Sequence, residues 1–321
     1  MMTQPDILVI HHGALGDVVC TFPALLRLKK LYGSIAMLCQ SSIGQLAQEL
    51  DIADKWFPLE AAAFATLYSS PIDPIVKNIL LSYQRIILFS RSRQLEKTLF
   101  LISNNEVYRI PPRPGLDQKI HVSQHILSNL VGFGLLEESD KDTCMTWSLS
   151  IDSDRRNPEH DPSKIIIHPG SGSRKKCWPI SNFVKVASSM DAGGKQPEFI
   201  LGPAEYDLYD ILMQSRRFNA NVHKIETLTE LAGLLKIGGG FVGNDSGVSH
   251  LAAFIGLPTV AVFGPSDPKL WKPMGRAVKV VRSDFECSPC FETGTVGCEE
   301  MGCFDGISPE DVLAAFYELV G

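Results

Sequence analysis

Three short stretches combine residue types and spacings that suit the handling of an anionic group. "GALGDVV", Gly13 to Val19, is a glycine-spaced loop between the apolar run "ILVI" and a helical segment, yet it carries an acid, Asp17, and no lysine. "HPGSGSRKKCWP", His168 to Pro179, directly follows "KIII" and joins Gly170 and Gly172 to the hydroxyls of Ser171 and Ser173 and the charges of Lys175 and Lys176. Glycines let a backbone approach a ligand, and donors plus cations at a strand end suit phosphate or pyrophosphate. A Gly/Ser turn with solvated lysines has the same composition. "GNDSGVSH", Gly243 to His250, runs from a strand into a helix. The free N–H groups of such a helix, with its dipole, favour a bound anion. Ser246 and Gly247 permit close approach and His250 can donate from the first turn. Asp245 or Ser246 acting simply as a helix cap is the plain alternative.

Other chemistries find less support. Asp245, Ser246 and His250 lack the G-x-S-x-G elbow of a hydrolase nucleophile, and proximity in sequence does not make a triad. "GALGDV" lacks the G-x-G-x-x-G spacing of a dinucleotide site, and no G-x-x-x-x-G-K-[ST] loop is present. "DSD", Asp152 to Asp154, has the form of a short metal-holding acidic motif but lies in a charged stretch, where a solvated turn is the simpler reading. Cys287, Cys290, Cys298 and Cys303 follow a C-x2-C-x7-C-x4-C spacing. Zinc, reduced thiols and disulfides all fit it, and the reading leans to no bound metal.

These motifs need elements to hold them. "DILVIHH", "SIAMLCQ" and "RIILFS" read as strands, alternating with the helical stretches "VCTFPALLRLKKLYG" and "IGQLAQEL". Pro23 either kinks the first helix or restarts it behind Thr21, and Gly33 ends it. The charged stretch Ser150 to Lys164, with two prolines, is the linker candidate. Beyond it, "KIIIHPG", "PEFILGP", "GFVGND" and "TVAVFGP" read as strands between helices, and "SPEDVLAAFYELVG" as a closing helix capped by Ser308. Continuous apolar strands between helices imply parallel sheets covered on both faces. The expectation is two doubly wound α/β domains in tandem, with ligands beyond the carboxyl ends of the strands.

Composition sets the outer bounds. A chain of 321 residues exceeds one small core. Its net charge of −6 gives no general drive toward nucleic acid. Eight cysteines at this length do not make a secreted disulfide scaffold. Asp17 interrupts the N-terminal apolar run, so neither a signal peptide nor a transmembrane segment is expected. The expected location is the cytoplasm, with peripheral contact at the inner face of the cytoplasmic membrane left open.

The three junctions together resemble glycosyltransferase family 9, the heptosyltransferases of lipopolysaccharide core assembly. The resemblance rests on "ILVIHHGALGDVVCTFPALLRLKK", "HPGSGSRKKCWPISNF" and "FVGNDSGVSHLAAFIGLPTVAVFGPSDP", with "CSPC" and "ISPEDV" in support. It implies a GT-B fold, two Rossmann-like domains facing a cleft. Residues 1–155 would form the acceptor-side domain and 156–306 the nucleotide-sugar domain, with the helix at 307–321 returning to the first. It implies an inverting, metal-independent transfer of heptose from ADP-heptose to a lipid-linked glycan acceptor at the membrane surface. By motif position, Ser171, Gly172 and Ser173 would contact the donor phosphates, and Lys176 would pair with them. Asp245, Ser246, Gly247 and His250 would line the rest, and Glu205 in "GPAE" would hold the ribose. Asp17 resembles the base that takes the acceptor hydroxyl proton, a capping residue being the plainer alternative. Gly13 and Gly16 would shape that side, where Arg91 and Arg93 could bind acceptor phosphates or carboxylates. A sugar-nucleotide epimerase of similar architecture and a non-catalytic sugar-nucleotide-binding protein are the competing readings.

Overall fold

The computed structural model describes residues 6–69, 71–103, 106–115, 117–145, 159–214, 221–284, 287–291 and 302–321. The Asp152–Asp154 triplet and Cys298 lie outside them. Five described strands come from the first half: β1 (Ile7–His11), β2 (Ile35–Cys39), β3 (Lys55–Pro58), β4 (Arg85–Phe89) and β5 (Glu106–Ile110). Six follow: β6 (Asp161–His168), β7 (Gln196–Leu201), β8 (Asn221–Lys224), β9 (Gly238–Asn244), β10 (Thr259–Phe263) and β11 (Val278–Arg282). The stretch read as linker therefore ends inside β6.

The chain divides into two units. One comprises Met1–Gly115 and Val122–Met145, the other Leu116–His121 and Thr146–Gly321. The first unit holds a five-stranded sheet in the order β3-β2-β1-β4-β5, and every pair is parallel. The strands β1 and β2 are buried along their full length, as two-sided helix cover requires. Leu8, Ile10, Leu38, Ile86 and Leu88 form one face of this core. The first helical stretch is two helices, Leu15–Val19 and Phe22–Tyr32, restarting at Thr21 with Pro23 in the opening turn. The Thr21 hydroxyl donates back to the Val18 carbonyl (2.6 Å). Gly33, at φ 91°, closes the second helix where a side chain would be strained.

The second unit holds six parallel strands in the order β11-β10-β9-β6-β7-β8. Counted within the unit this is the Rossmann order, and it reverses between β6 and β9. In doubly wound sheets the connections leaving two such neighbours run to opposite faces, and a crevice forms at their carboxyl ends. Both the Gly/Ser motif and the Asn-Asp-Ser motif leave from there. The C-terminal helix, Pro309–Val320, is capped by Ser308 and Asp311 reciprocally. It buries Val312 and Phe316 in the core of this second unit. The Phe316 ring occupies the space over Gly240, where an added Cβ would come within 2.6 Å of it.

Candidate functional site

At the end of β1, the backbone and His11 build a tight turn. Gly13 N donates to His11 Nδ1 (2.9 Å), and the buried imidazole rests on the Phe89 ring at 4.9 Å. Burial, with a smaller contribution from His12, lowers the His11 pKa to about 3, so the ring is a neutral acceptor. A Cβ on Gly13 would sit 2.5 Å from His11 Cε1 and 2.9 Å from Asp17 Cβ. The glycine is thus required by its own neighbours. Gly16 lies beyond that turn, in the helix Leu15–Val19, its carbonyl accepting from Cys20 N (3.1 Å).

Asp17 sits in the first turn of Leu15–Val19, but Ala14 occupies the cap position. The capping alternative for Asp17 therefore does not hold. Its carboxylate accepts instead from Arg113: Nε and Nη2 lie 3.2 Å from Oδ1, and Nη2 lies 3.3 Å from Oδ2. Arg113, from "PPRPG" after β5, was not singled out in the sequence, because nothing in the spacing ties it to a loop 96 residues earlier. Nearby, His12 Nε2 and Tyr68 Oη share a hydrogen bond of 2.8 Å. Arg91 and Arg93 are exposed. Neither makes an ion pair with another described residue.

In the second unit, Asn244 holds the crevice together. It ends β9, is fully buried, and reaches across to the loop after β6. Its Nδ2 donates to the Pro169 carbonyl (2.7 Å), and its Oδ1 accepts from Trp178 N (2.9 Å). The two loops are further joined by Ser171 Oγ, which donates to the Asp245 carbonyl (2.7 Å). Lys176 Nζ donates to Asp245 Oδ2 at 2.8 Å, with the carboxylate side chain only 5% exposed. The structure thus brings Ser171, Lys176 and Asp245 together from segments about 70 residues apart in sequence.

Other expected residues take more specific places. Ser246, not Asp245, caps the helix Gly247–Ile255, accepting from Ser249 N. Ser249 Oγ in turn donates to the Asn244 carbonyl, fixing the entry to the helix. Gly247 opens that helix, and His250 is buried in its first turn. Desolvation lowers the His250 pKa to about 4; Asp245 opposes that shift, while His121 and Lys176 add to it. His121 was not anticipated, yet the short segment carrying it belongs to this unit and bonds the Lys272 carbonyl (2.8 Å).

Glu205 accepts from Gly202 N (3.0 Å) and lies against Gly170, where an added Cβ would be 2.4 Å from its carboxyl carbon. Glu205 itself therefore requires a glycine at position 170. Gly172 faces open space, and Ser173 precedes the turn Arg174–Lys176. Three buried polar atoms, His160 Nδ1, His168 Nδ1 and Ser266 Oγ, lack a hydrogen-bond partner among the described residues. His168 ends β6 and Ser266 lies just beyond β10, the two strands on either side of β9. Cys287 is exposed and Cys303 buried. Among the described residues no group of three or more His, Cys, Asp or Glu is placed to hold a metal ion.

Two doubly wound parallel sheets in one chain, with polar loops at their carboxyl ends, define the GT-B type of glycosyltransferase architecture. A family model described as glycosyltransferase family 9 (heptosyltransferase) matches residues 117–298, more than half of the chain. The chain belongs to that family. It is similar to lipooligosaccharide heptosyltransferase 2 of Campylobacter jejuni, at 26% identity over 93% of each chain. It is also similar to lipopolysaccharide heptosyltransferase 1 of Pseudomonas aeruginosa, at 40% identity over 41% of this chain and 37% of that one. Among solved structures, a family 9 glycosyltransferase from Veillonella parvula matches with a TM-score of 0.75 at 19% identity, covering 100% of this chain and 98% of the other. An Escherichia coli ADP-heptose lipopolysaccharide heptosyltransferase II matches with a TM-score of 0.73 at 16% identity, covering 98% of each. At such identities the structural likeness concerns the fold.

Proposed function

We propose that the chain moves a heptose from ADP-heptose to a lipopolysaccharide core or related surface-glycan acceptor, with inversion and without a bound metal. In this reading residues 156–306 hold the donor and residues 1–155 the acceptor. The observation that carries it is the convergence of Ser171, Lys176 and Asp245 at the point where the second sheet reverses its strand order. Relatives named for heptosyl transfer to lipopolysaccharide and lipooligosaccharide supply the sugar and the acceptor class. The acceptor would bring the enzyme to the inner face of the cytoplasmic membrane. No helix of the described residues is long and apolar enough to cross that membrane.

The reaction divides into two electrostatic tasks. The acceptor oxygen forms a bond to the anomeric carbon, and the bond from that carbon to the distal phosphate oxygen breaks, its electron pair leaving with ADP. Lys176 and the N-terminus of Gly247–Ile255, with Ser246 and Gly247 at its entry, stabilise the departing diphosphate. Ser171, Gly172 and Ser173 line its other side, and Glu205 takes the ribose. Neutral His250 donates to the bound donor. The acceptor proton passes to Asp17, whose carboxylate Arg113 holds in one orientation. Gly13 and Gly16 allow the acceptor close to that carboxylate, with Arg91 and Arg93 available for its negative groups. An oxocarbenium-like transition state lets the proton move late, so a carboxylate suffices as the base.

Asp17→Asn tests the assignment. Transfer assayed with ADP-heptose and a heptose-deficient core acceptor should fall about 10²- to 10⁴-fold, the usual contribution of a general base. ADP affinity by calorimetry should stay within about twofold. Equal transfer by the two proteins removes Asp17 from the mechanism. Formation of an epimer from ADP-heptose alone would favour the epimerase reading instead.

A further inference from the structure

The C-S-P-C stretch takes no part in the mechanism above, yet the segment Cys287–Phe291 that contains it reaches Lys176, the lysine proposed to bind phosphate. Backbone N–H groups of Cys290 and Phe291 both donate to the Pro265 carbonyl (2.8 and 3.0 Å), and Ser288 Oγ donates to the Gly264 carbonyl (2.6 Å). Arg282 Nη2 donates to the Ser288 carbonyl (3.3 Å). These bonds fasten the segment to the turn that leaves β10, beside β9 in the sheet. The outcome is a Phe291 ring whose centroid lies 4.4 Å from Lys176 Nζ. The ring is 39% exposed, so the contact faces the open side of the lysine.

We infer that Phe291 is a positioning residue for Lys176, holding its ammonium at the crevice by cation–π attraction while leaving N–H donors for a nucleoside diphosphate. An ammonium has three N–H bonds, and Asp245 takes one of them. A second carboxylate in place of the ring would fix the charge equally well but would compete with phosphate for it. A ring face attracts the cation through its quadrupole and accepts no conventional hydrogen bond from it. The segment also explains how a residue 115 positions after Lys176 reaches it: the turn after β10 is the neighbour of the β9 loop that carries Asp245.

The inference rests on the reading of Lys176 as a phosphate ligand, and calorimetric titration with ADP separates the two. Phe291→Leu keeps apolar bulk and removes the ring, and it should weaken ADP about two- to fivefold, the range for a partly exposed cation–π contact. Phe291→Tyr should retain wild-type affinity. In a Lys176→Ala background, Phe291→Leu should have no further effect. Wild-type affinity in Phe291→Leu, an equal loss in Phe291→Tyr, or an undiminished loss in the Lys176→Ala background would each overturn the inference while leaving the donor site intact. Lys176→Ala binding ADP as well as wild type would overturn both. Melting temperatures of all variants register any loss of fold.

Discussion

At the scale of single residues, the proposed donor site turns on the pair Lys176–Asp245. A carboxylate that is 5% exposed holds the lysine at 2.8 Å, and a bound diphosphate would offer the same cation a second anionic partner. Two substitutions separate the roles. Lys176→Ala should weaken ADP about ten- to a hundredfold, the equivalent of about 1.5–3 kcal/mol for a hydrogen bond to a charged group. It should also lower the melting temperature, because Asp245 is left buried without its countercharge. Asp245→Asn should lower the melting temperature too, yet bind ADP at least as well as wild type, since the competing carboxylate is gone. A tenfold loss of ADP affinity in Asp245→Asn would argue against that competition. Sequence alone puts both residues near a ligand but not against each other. Their contact depends on β6 and β9 being neighbours, which no local pattern encodes.

At the scale of elements, Asn244 and Gly13 show how strand ends hold loops in register. Asn244→Ala would remove a donor to Pro169 and an acceptor for Trp178, leaving two buried backbone groups unpaired. Expected costs are about 1–3 kcal/mol for each such group. A lower urea midpoint should accompany weakened ADP binding, because both loops of the crevice depend on this one amide. Gly13→Ala would force its Cβ against a buried imidazole and the base of Asp17, so transfer should fall while ADP binding holds. The same scale explains what was legible. The central strands β1, β2, β4, β6, β7, β9 and β10 announce themselves as continuous apolar runs because helices cover both their faces. The strands that escaped notice, β3, β5, β8 and β11, are the sheet edges. Their sequences "KWFP", "EVYRI", "NVHK" and "VKVVR" are short and half polar, with one side open, and so resemble loops. The loops at the central strands were therefore readable as site elements. Their partners from elsewhere, Arg113, His121 and Phe291, were not, because each arrives through tertiary placement.

Across the whole molecule, histidines buried in neutral form tie stability to pH in both units. Burial is the leading cause in each case, lowering His11 to about 3 and His250 to about 4 from an ordinary 6.5. His12, His121 and His125 shift in the same direction. Below pH 6.5 the unfolded chain binds protons that the native chain refuses, so unfolding becomes easier as pH falls. Above 6.5 both states are neutral at these sites and the contribution is complete. It is lost progressively from 6.5 down to the folded values. The carboxylates whose pKa values are lowered by hydrogen bonds, Glu60, Asp161 and Asp311, act only below their ordinary values of 4.5 for the first and 3.8 for the others, and so leave the range from pH 6.5 to 4.5 to the histidines. Scanning calorimetry should accordingly find a melting temperature that is flat between pH 8 and 7 and falls steadily from 6.5 to 4.5. His250→Gln should flatten that decline for the second unit, because glutamine stays neutral in both states, even if its absolute stability is lower. A melting temperature unchanged from pH 7.5 to 4.5 would mean that these imidazoles are not held neutral by the fold. The tight His11–Gly13 turn under Asp17 would then need a different electrostatic account.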